Sequence, residues 1–172
     1  MTNEFPPTKI IDIVNEVSSL LKERKETVSV AETAAGGIIS ASLLSTPGAS
    51  GFFKGGLTLY TLESRVAYGG WTQEDIKTYN GPTTEIVAGL ASNVRSKLGS
   101  TYTVCESGTA GPTGGPRNRT LGSVALAVAT ENGSYKREVL TGLGGDRQAN
   151  MVAFAVEALT LLRDVIKGEA KL

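Results

Sequence analysis

The stretch Val28-Ser29-Val30-Ala31-Glu32-Thr33-Ala34-Ala35-Gly36-Gly37 decides how this chain is read. Val28 to Ala31 carry the β-branched and small side chains of a short buried strand. Glu32 and Thr33 end that strand in polar groups, and Gly36-Gly37 open an amphipathic run from Ile38 to Leu44. Open α/β sheets place ligands where a strand ends and the chain turns through glycine into a helix. A helix starting there would offer free N–H groups and a partial positive charge to an anion.

Working outward, the apolar residues Ile10, Ile13, Val14, Val17, Leu20 and Leu21 recur at helical spacing and predict a helix over Thr8–Arg24. The first strand is expected over Thr27–Glu32, followed by a helix from about Gly36 to Ser45. A second strand is expected over Gly55–Thr61 and a helical turn over Leu62–Tyr68. Thr72-Gln73-Glu74-Asp75 has the form of a capping box and starts a short helix to about Tyr79. Pro82 suits a first helical position, and a stripe from Ile86 to Leu98 predicts a helix closed by Gly99. A third strand over Thr101–Glu106 leads into a glycine-rich loop, Ser107–Thr120. Leu121–Thr130 and Tyr135–Leu140 then flank Glu131-Asn132-Gly133-Ser134, whose Asn-Gly signals a hairpin. Asp146 is a good N-cap for a last helix reaching Lys167. Strands and helices in this order predict a single three-layer α/β/α domain with a mixed sheet over residues 1–172.

Composition narrows the chemistry. Lysine plus arginine balance aspartate plus glutamate, 17 against 17, without a basic stripe, which argues against a nucleic-acid partner. No apolar run approaches the ~18 residues that span a bilayer, so no membrane association is expected. The first residues lack the pattern of a secretory signal, and Asn118-Arg119-Thr120 and Asn132-Gly133-Ser134 are read as chance sequons. Cys105 is the only cysteine, which excludes an intrachain disulfide, fits a reducing cytoplasmic setting and reads as a buried small hydrophobe. There is no histidine at all. That removes Ser-His-Asp and Cys-His catalysis, the common zinc sites and a histidine pH switch together. Acid–base work falls to Glu, Asp, Lys, Tyr or Cys.

The loop Ser107-Gly108-Thr109-Ala110-Gly111-Pro112-Thr113-Gly114-Gly115-Pro116 follows a strand. It is neither a Walker A motif nor a Rossmann fingerprint. It reads either as a surface connection or as a cradle whose N–H groups and hydroxyls hold a phosphate or ribose. Ala31-Glu32-Thr33-Ala34-Ala35-Gly36-Gly37 resembles the Ala-Glu-Ser-Cys-Thr-Gly-Gly motif of the CinA C-terminal domain family, which includes bacterial nicotinamide mononucleotide (NMN) deamidases. Ser107 to Gly115 is similar to that family's Ser-Gly-Ile-Ala-Gly-Pro-x-Gly-Gly loop, departing at Thr109. Pro47-Gly48-Ala49-Ser50, Phe53-Lys54-Gly55-Gly56, the helix start Pro82-Thr83-Thr84-Glu85 and Gly145-Asp146-Arg147 extend the likeness over essentially the whole chain.

The resemblance implies a serine amidohydrolase with a Ser/Lys dyad and no cofactor or metal. Serine attacks the carboxamide of NMN with lysine as general base, ammonia leaves, and water releases nicotinate mononucleotide. It also implies a homo-oligomer. Residue by residue, the nucleophile position falls on Thr33 and the lysine, five residues after the family's tyrosine at Tyr60, falls on Arg65. Threonine keeps the hydroxyl, whereas a guanidinium stays protonated at neutral pH and cannot take its proton. Positioned base catalysis is worth roughly 10²–10⁴-fold, so that is the expected loss unless another base acts. Tyr60 and Lys54 are the nearest substitutes along the chain. Thr33 reads equally as a nucleophile or as a hydroxyl capping the next helix, and Arg65 as a solvated or ligand-contacting charge. Glu32, Ala34, Ala35, Gly36, Gly37, Thr83, Ser107, Gly108, Thr109, Ala110, Gly111 and Arg147 are the expected ligand contacts, Arg147 being either a phosphate ligand or an exposed helix-start residue. The expected function is a pyridine-mononucleotide pocket with weak, lost or altered deamidase activity. The alternative is a non-catalytic interaction or regulatory protein that keeps only the fold.

Overall fold

A computed structural model describes residues 4–172. Five strands form one sheet in the order β2-β1-β3-β4-β5. They are β1 (Val28–Glu32), β2 (Phe53–Thr58), β3 (Tyr102–Gly108), β4 (Ser123–Thr130) and β5 (Gly133–Leu140). β1 runs parallel to both β2 and β3, whereas β4 and β5 continue as an antiparallel meander. Burial follows position: every residue of central β1 is buried, while edge strand β2 alternates between half-buried and exposed residues.

Among the described residues six α-helices accompany the sheet: α1 (Thr8–Arg24), α2 (Ile38–Leu44), α3 (Leu62–Tyr68), α4 (Gln73–Thr78), α5 (Thr84–Leu98) and α6 (Arg147–Lys167). Val28, Val30, Val104, Leu126 and Val128 pack with Ile10, Val17, Leu21, Ile39, Phe154, Leu159 and Leu162 from α1, α2 and α6. On the opposite face Ala31, Cys105, Ala125, Ala127 and Ala129 meet Val87, Leu90, Ala91 and Val94 of α5. The alternation of Val and Leu with Ala along β4 thus assigns large side chains to the two-helix-deep side and small ones to the side where α5 lies close. The expected three-layer α/β/α domain with a mixed sheet is present. No helix among the described residues is long and apolar enough to cross a membrane.

Several element bounds differ from the sequence reading, each for a local reason. Gly36 and Gly37 both have positive φ, 69° and 105°, so they form a turn and α2 begins only at Ile38. β2 starts at Phe53 and stops at Thr58, because Thr61 is the N-cap of α3 and accepts from the Ser64 N–H at 3.1 Å. Pro82 lies one residue ahead of the N-cap of α5, which is Thr83, its hydroxyl accepting from the Ile86 N–H at 3.2 Å. The β4–β5 turn is tighter than expected: Thr130 pairs with Gly133, leaving Glu131-Asn132 as the loop. Asp146 and Gly99 act as N-cap and C-cap, as their positions suggested.

The arrangement has one functional consequence. β1 and β3 are adjacent and parallel, so both end at the same edge of the sheet. The chain leaves β1 for α2 on one face and comes back to β3 from α5 on the other, which opens a crevice between the two strand ends.

Candidate active site

The crevice is a cleft of about 270 Å³ lined by Thr33 and Ala34 after β1, Tyr60 and Arg65, Tyr79 and Pro82, residues 107–111 with Thr113 after β3, Arg119, and Arg147 at the start of α6. Of the expected contacts, Thr33, Ala34, Tyr60, Arg65, Ser107, Gly108, Thr109, Ala110, Gly111 and Arg147 therefore come together.

Beneath the floor lie two buried carboxylates in register, Glu32 on β1 beside Glu106 on β3. Glu32 Oε2 accepts from the Ile39 N–H at 3.0 Å and Oε1 from the Ser40 N–H at 3.0 Å. The anion at the start of α2 is thus supplied by the chain itself, a reversal of the expectation that this terminus receives a ligand. Glu106 Oε1 accepts from the N–H groups of Thr33 (2.6 Å) and Ala35 (2.8 Å), while its Oε2 is buried without a partner. Burial pushes the Glu106 carboxyl up to about 7, with the Glu32 charge adding to the rise; the Ala35 and Thr33 N–H groups and Arg65 pull the other way. Glu106 was not among the expected site residues. Its signal was a carboxylate closing the apolar run Val104-Cys105, a position where it must be buried and satisfied.

With its backbone held by Glu106, Thr33 is 3% exposed and its hydroxyl donates to Ser107 Oγ at 2.9 Å. It does not cap α2, whose N-terminal N–H groups go to Glu32; the capping alternative is corrected on that ground. Arg65 is not solvated. It is 3% exposed, with Nε donating to Leu59 O at 3.2 Å and Cζ 5.0 Å from the Trp71 ring centroid and 5.2 Å from that of Tyr79. The Trp71 N–H returns to Arg65 O, which folds the indole back over the guanidinium. Arg65 Nη1 is buried without a partner. Arg147 is neither buried nor idle: Nη1 donates to Gly111 O at 2.7 Å and Nη2 to Tyr60 Oη at 3.1 Å, joining two walls of the cleft.

The loop after β3 is held by close backbone approach. A Cβ on Gly108 would lie 2.5 Å from Ser123 O and 2.8 Å from Phe154 Cε2. Gly111, at φ 100°, would place one 2.7 Å from Gly145 Cα. Buried Asn150 of α6 completes the clamp by donating to Ala110 O and Gly144 O, both at 2.9 Å. The loop is therefore a positioned wall of the site.

Other expected contacts lie elsewhere. Glu32 and Ala35 are fully buried beneath the floor. Gly36 faces Met151 and Gly37 faces Thr58. Thr83 is spent on capping α5. Lys54 is exposed at the start of β2, in the register shift beside Val28 and Ser29 of β1, about four residues or ~13 Å of strand from Thr33. Tyr79, Pro82, Thr113 and Arg119 line the cleft without having been singled out. Cys105 is buried, and its thiol is pushed well up by burial and by the Glu106 charge, so it is an inert packing residue. No metal-binding cluster occurs among the described residues.

The sequence model of the CinA C-terminal domain matches residues 11–166. A CinA-like protein of Flavobacterium psychrophilum is 29% identical over 168 residues, covering 97% of this chain and 39% of that protein. One from Fervidobacterium nodosum is 34% identical over 152 residues, covering 88% and 36%. The chain thus spans less than half the length of these curated relatives. Among solved structures, the competence/damage inducible protein CihA of Agrobacterium tumefaciens superposes with a TM-score of 0.85 at 24% identity, over 97% of this chain and 99% of that one. The competence or damage-inducible protein of Enterobacter asburiae gives 0.83 at 21% identity, over 93% and 99%. These likenesses show a shared fold, and with the match across residues 11–166 the chain belongs to the CinA C-terminal domain family.

Proposed function

We propose that the cleft is a pocket for a pyridine mononucleotide or a similar small phosphorylated ligand, descended from an NMN-deamidase site and weak, lost or altered in hydrolysis. The observation that carries this reading is the environment of Thr33. Its hydroxyl is fixed on Ser107 at the cleft floor, where a nucleophile would have to sit. The group in the lysine position is a buried guanidinium, which orients and neutralises but takes no proton. Lys54 stands at the far end of the strand, and Tyr60 Oη is engaged by Arg147. Glu106, whose carboxyl is raised to about 7, lies against the Thr33 turn, but its bonded oxygen serves the Thr33 backbone N–H and not the hydroxyl. At about 270 Å³ the cleft falls just below the ~300 Å³ typical of small-molecule pockets, enough to receive part of a nucleotide with the rest at the open rim.

The test is ammonia release from NMN by the purified protein. Expected is a rate far below the ~1–10³ s⁻¹ of ordinary enzymes, with saturable NMN binding by calorimetry. Turnover in that range would contradict the loss of the base, and no binding of NMN or of nicotinate mononucleotide at millimolar concentration would instead favour a domain that keeps only the fold.

A further inference from the structure

Three arginines, Arg65, Arg119 and Arg147, face one small cleft, and among the described residues that line it none is Asp or Glu. The buried carboxylates Glu32 and Glu106 lie outside that lining. Arg147 is anchored at Gly111 O and Tyr60 Oη, at the wall formed by the glycine loop. Arg65 lines the same cleft as Thr33, with its Cζ 5.0 Å from the Trp71 ring centroid and 5.2 Å from that of Tyr79, its Nε committed to Leu59 O and its Nη1 buried without an acceptor. A buried donor left without a partner is costly, and Nη1 is covered, so a ligand that draws the guanidinium toward an acceptor satisfies a donor the protein leaves bare. A carboxamide brings one acceptor oxygen and an NH₂ group that opposes the guanidinium. A carboxylate brings two acceptor oxygens and the opposite charge, the match for which a guanidinium fork is shaped.

We propose that this cleft recognises a ligand with two anionic ends, a carboxylate held by Arg65 beside Thr33 and a phosphate monoester toward Arg147 and Arg119. Resting on the mononucleotide reading above, this makes the acid, and not the amide, the preferred occupant.

Nicotinate mononucleotide and NMN share ring, ribose and phosphate and differ only in acid against amide, so their calorimetric titration into the intact protein reads the carboxylate contact alone. Expected is at least about tenfold tighter binding of the acid, a ratio that Arg65→Gln brings close to one and Arg65→Lys reduces while keeping the charge. Arg119→Gln, at an exposed rim position, is expected to weaken both ligands alike and leave the ratio unchanged. Should the Gln variant not fold, the wild-type ratio and the Lys variant decide. Equal affinity, or tighter NMN, overturns the carboxylate preference and leaves the mononucleotide reading standing. Failure of both ligands to bind at millimolar concentration overturns both.

Discussion

Glu32 and Glu106 are neighbours in register at the ends of adjacent parallel strands, both fully buried, yet they do different things. Glu32 gives one oxygen to each of two N–H groups of α2 and so has both oxygens satisfied. Glu106 collects two N–H groups on one oxygen and leaves the other bare, and its carboxyl rises to about 7. The distribution of donors over the two oxygens separates them: the first carboxylate fastens a helix, the second holds the Thr33 turn while remaining close to protonation at neutral pH.

The comparison breaks most easily at Glu32. Glu32→Ala leaves the buried Ile39 N–H and the part-buried Ser40 N–H without acceptors and is expected to cost about 2–5 kcal/mol at pH 7, read as a lowered urea midpoint. A loss below 1 kcal/mol would mean that α2 does not depend on this carboxylate.

The wild-type pH profile comes next in size. In the folded protein Glu106 holds its proton up to about 7, above the ordinary 4.5, so between these values the folded state binds a proton that the unfolded chain has released. Stability therefore falls as pH rises through that window, by at most about 3 kcal/mol, and the full penalty applies above it. The charges that act on Glu106 are Glu32 on β1 and Arg65 on α3, with the neutral Cys105 thiol alongside. Urea unfolding at intervals from pH 5 to 8 is expected to show this slope in the wild type and not in Glu106→Gln.

Smallest is the effect of Glu106→Gln itself at pH 5. Its amide oxygen can accept from both Thr33 and Ala35 while the NH₂ takes the unpartnered side, so stability is expected within about 1 kcal/mol of wild type. A loss as large as that for Glu32→Ala would show that Oε2 has a partner and that the two carboxylates are equivalent.

What the sequence made legible follows the range of the forces involved. Helical stripes in α1 and α6 and the caps Asp146 and Gly99 are local, and they lie where their residues placed them; the hairpin is also local, but its turn closes on Glu131-Asn132, with Gly133 already in β5. The junction after β1 was recognisable as a strand–glycine–helix turn, and its residues Thr33 and Ala34 do line the cleft, but their contacts were not legible. Whether Glu32 faces a ligand or a helix depends on the path of Gly36-Gly37, and the roles of Glu106 and Arg65 depend on strand register and on Trp71 and Tyr79 folding back. Tyr79 and Arg119 reach the cleft from segments distant in sequence, for which no spacing rule exists.

The central claim is that the pocket persists while its base is gone, and the double variant Thr33→Ser with Arg65→Lys tests it most directly. With NMN as substrate, ammonia release is expected to rise by about 10²–10⁴-fold over wild type, the worth of a positioned general base. No gain in a folded double variant that binds NMN, or a wild-type rate already equal to that of the variant, would contradict the account.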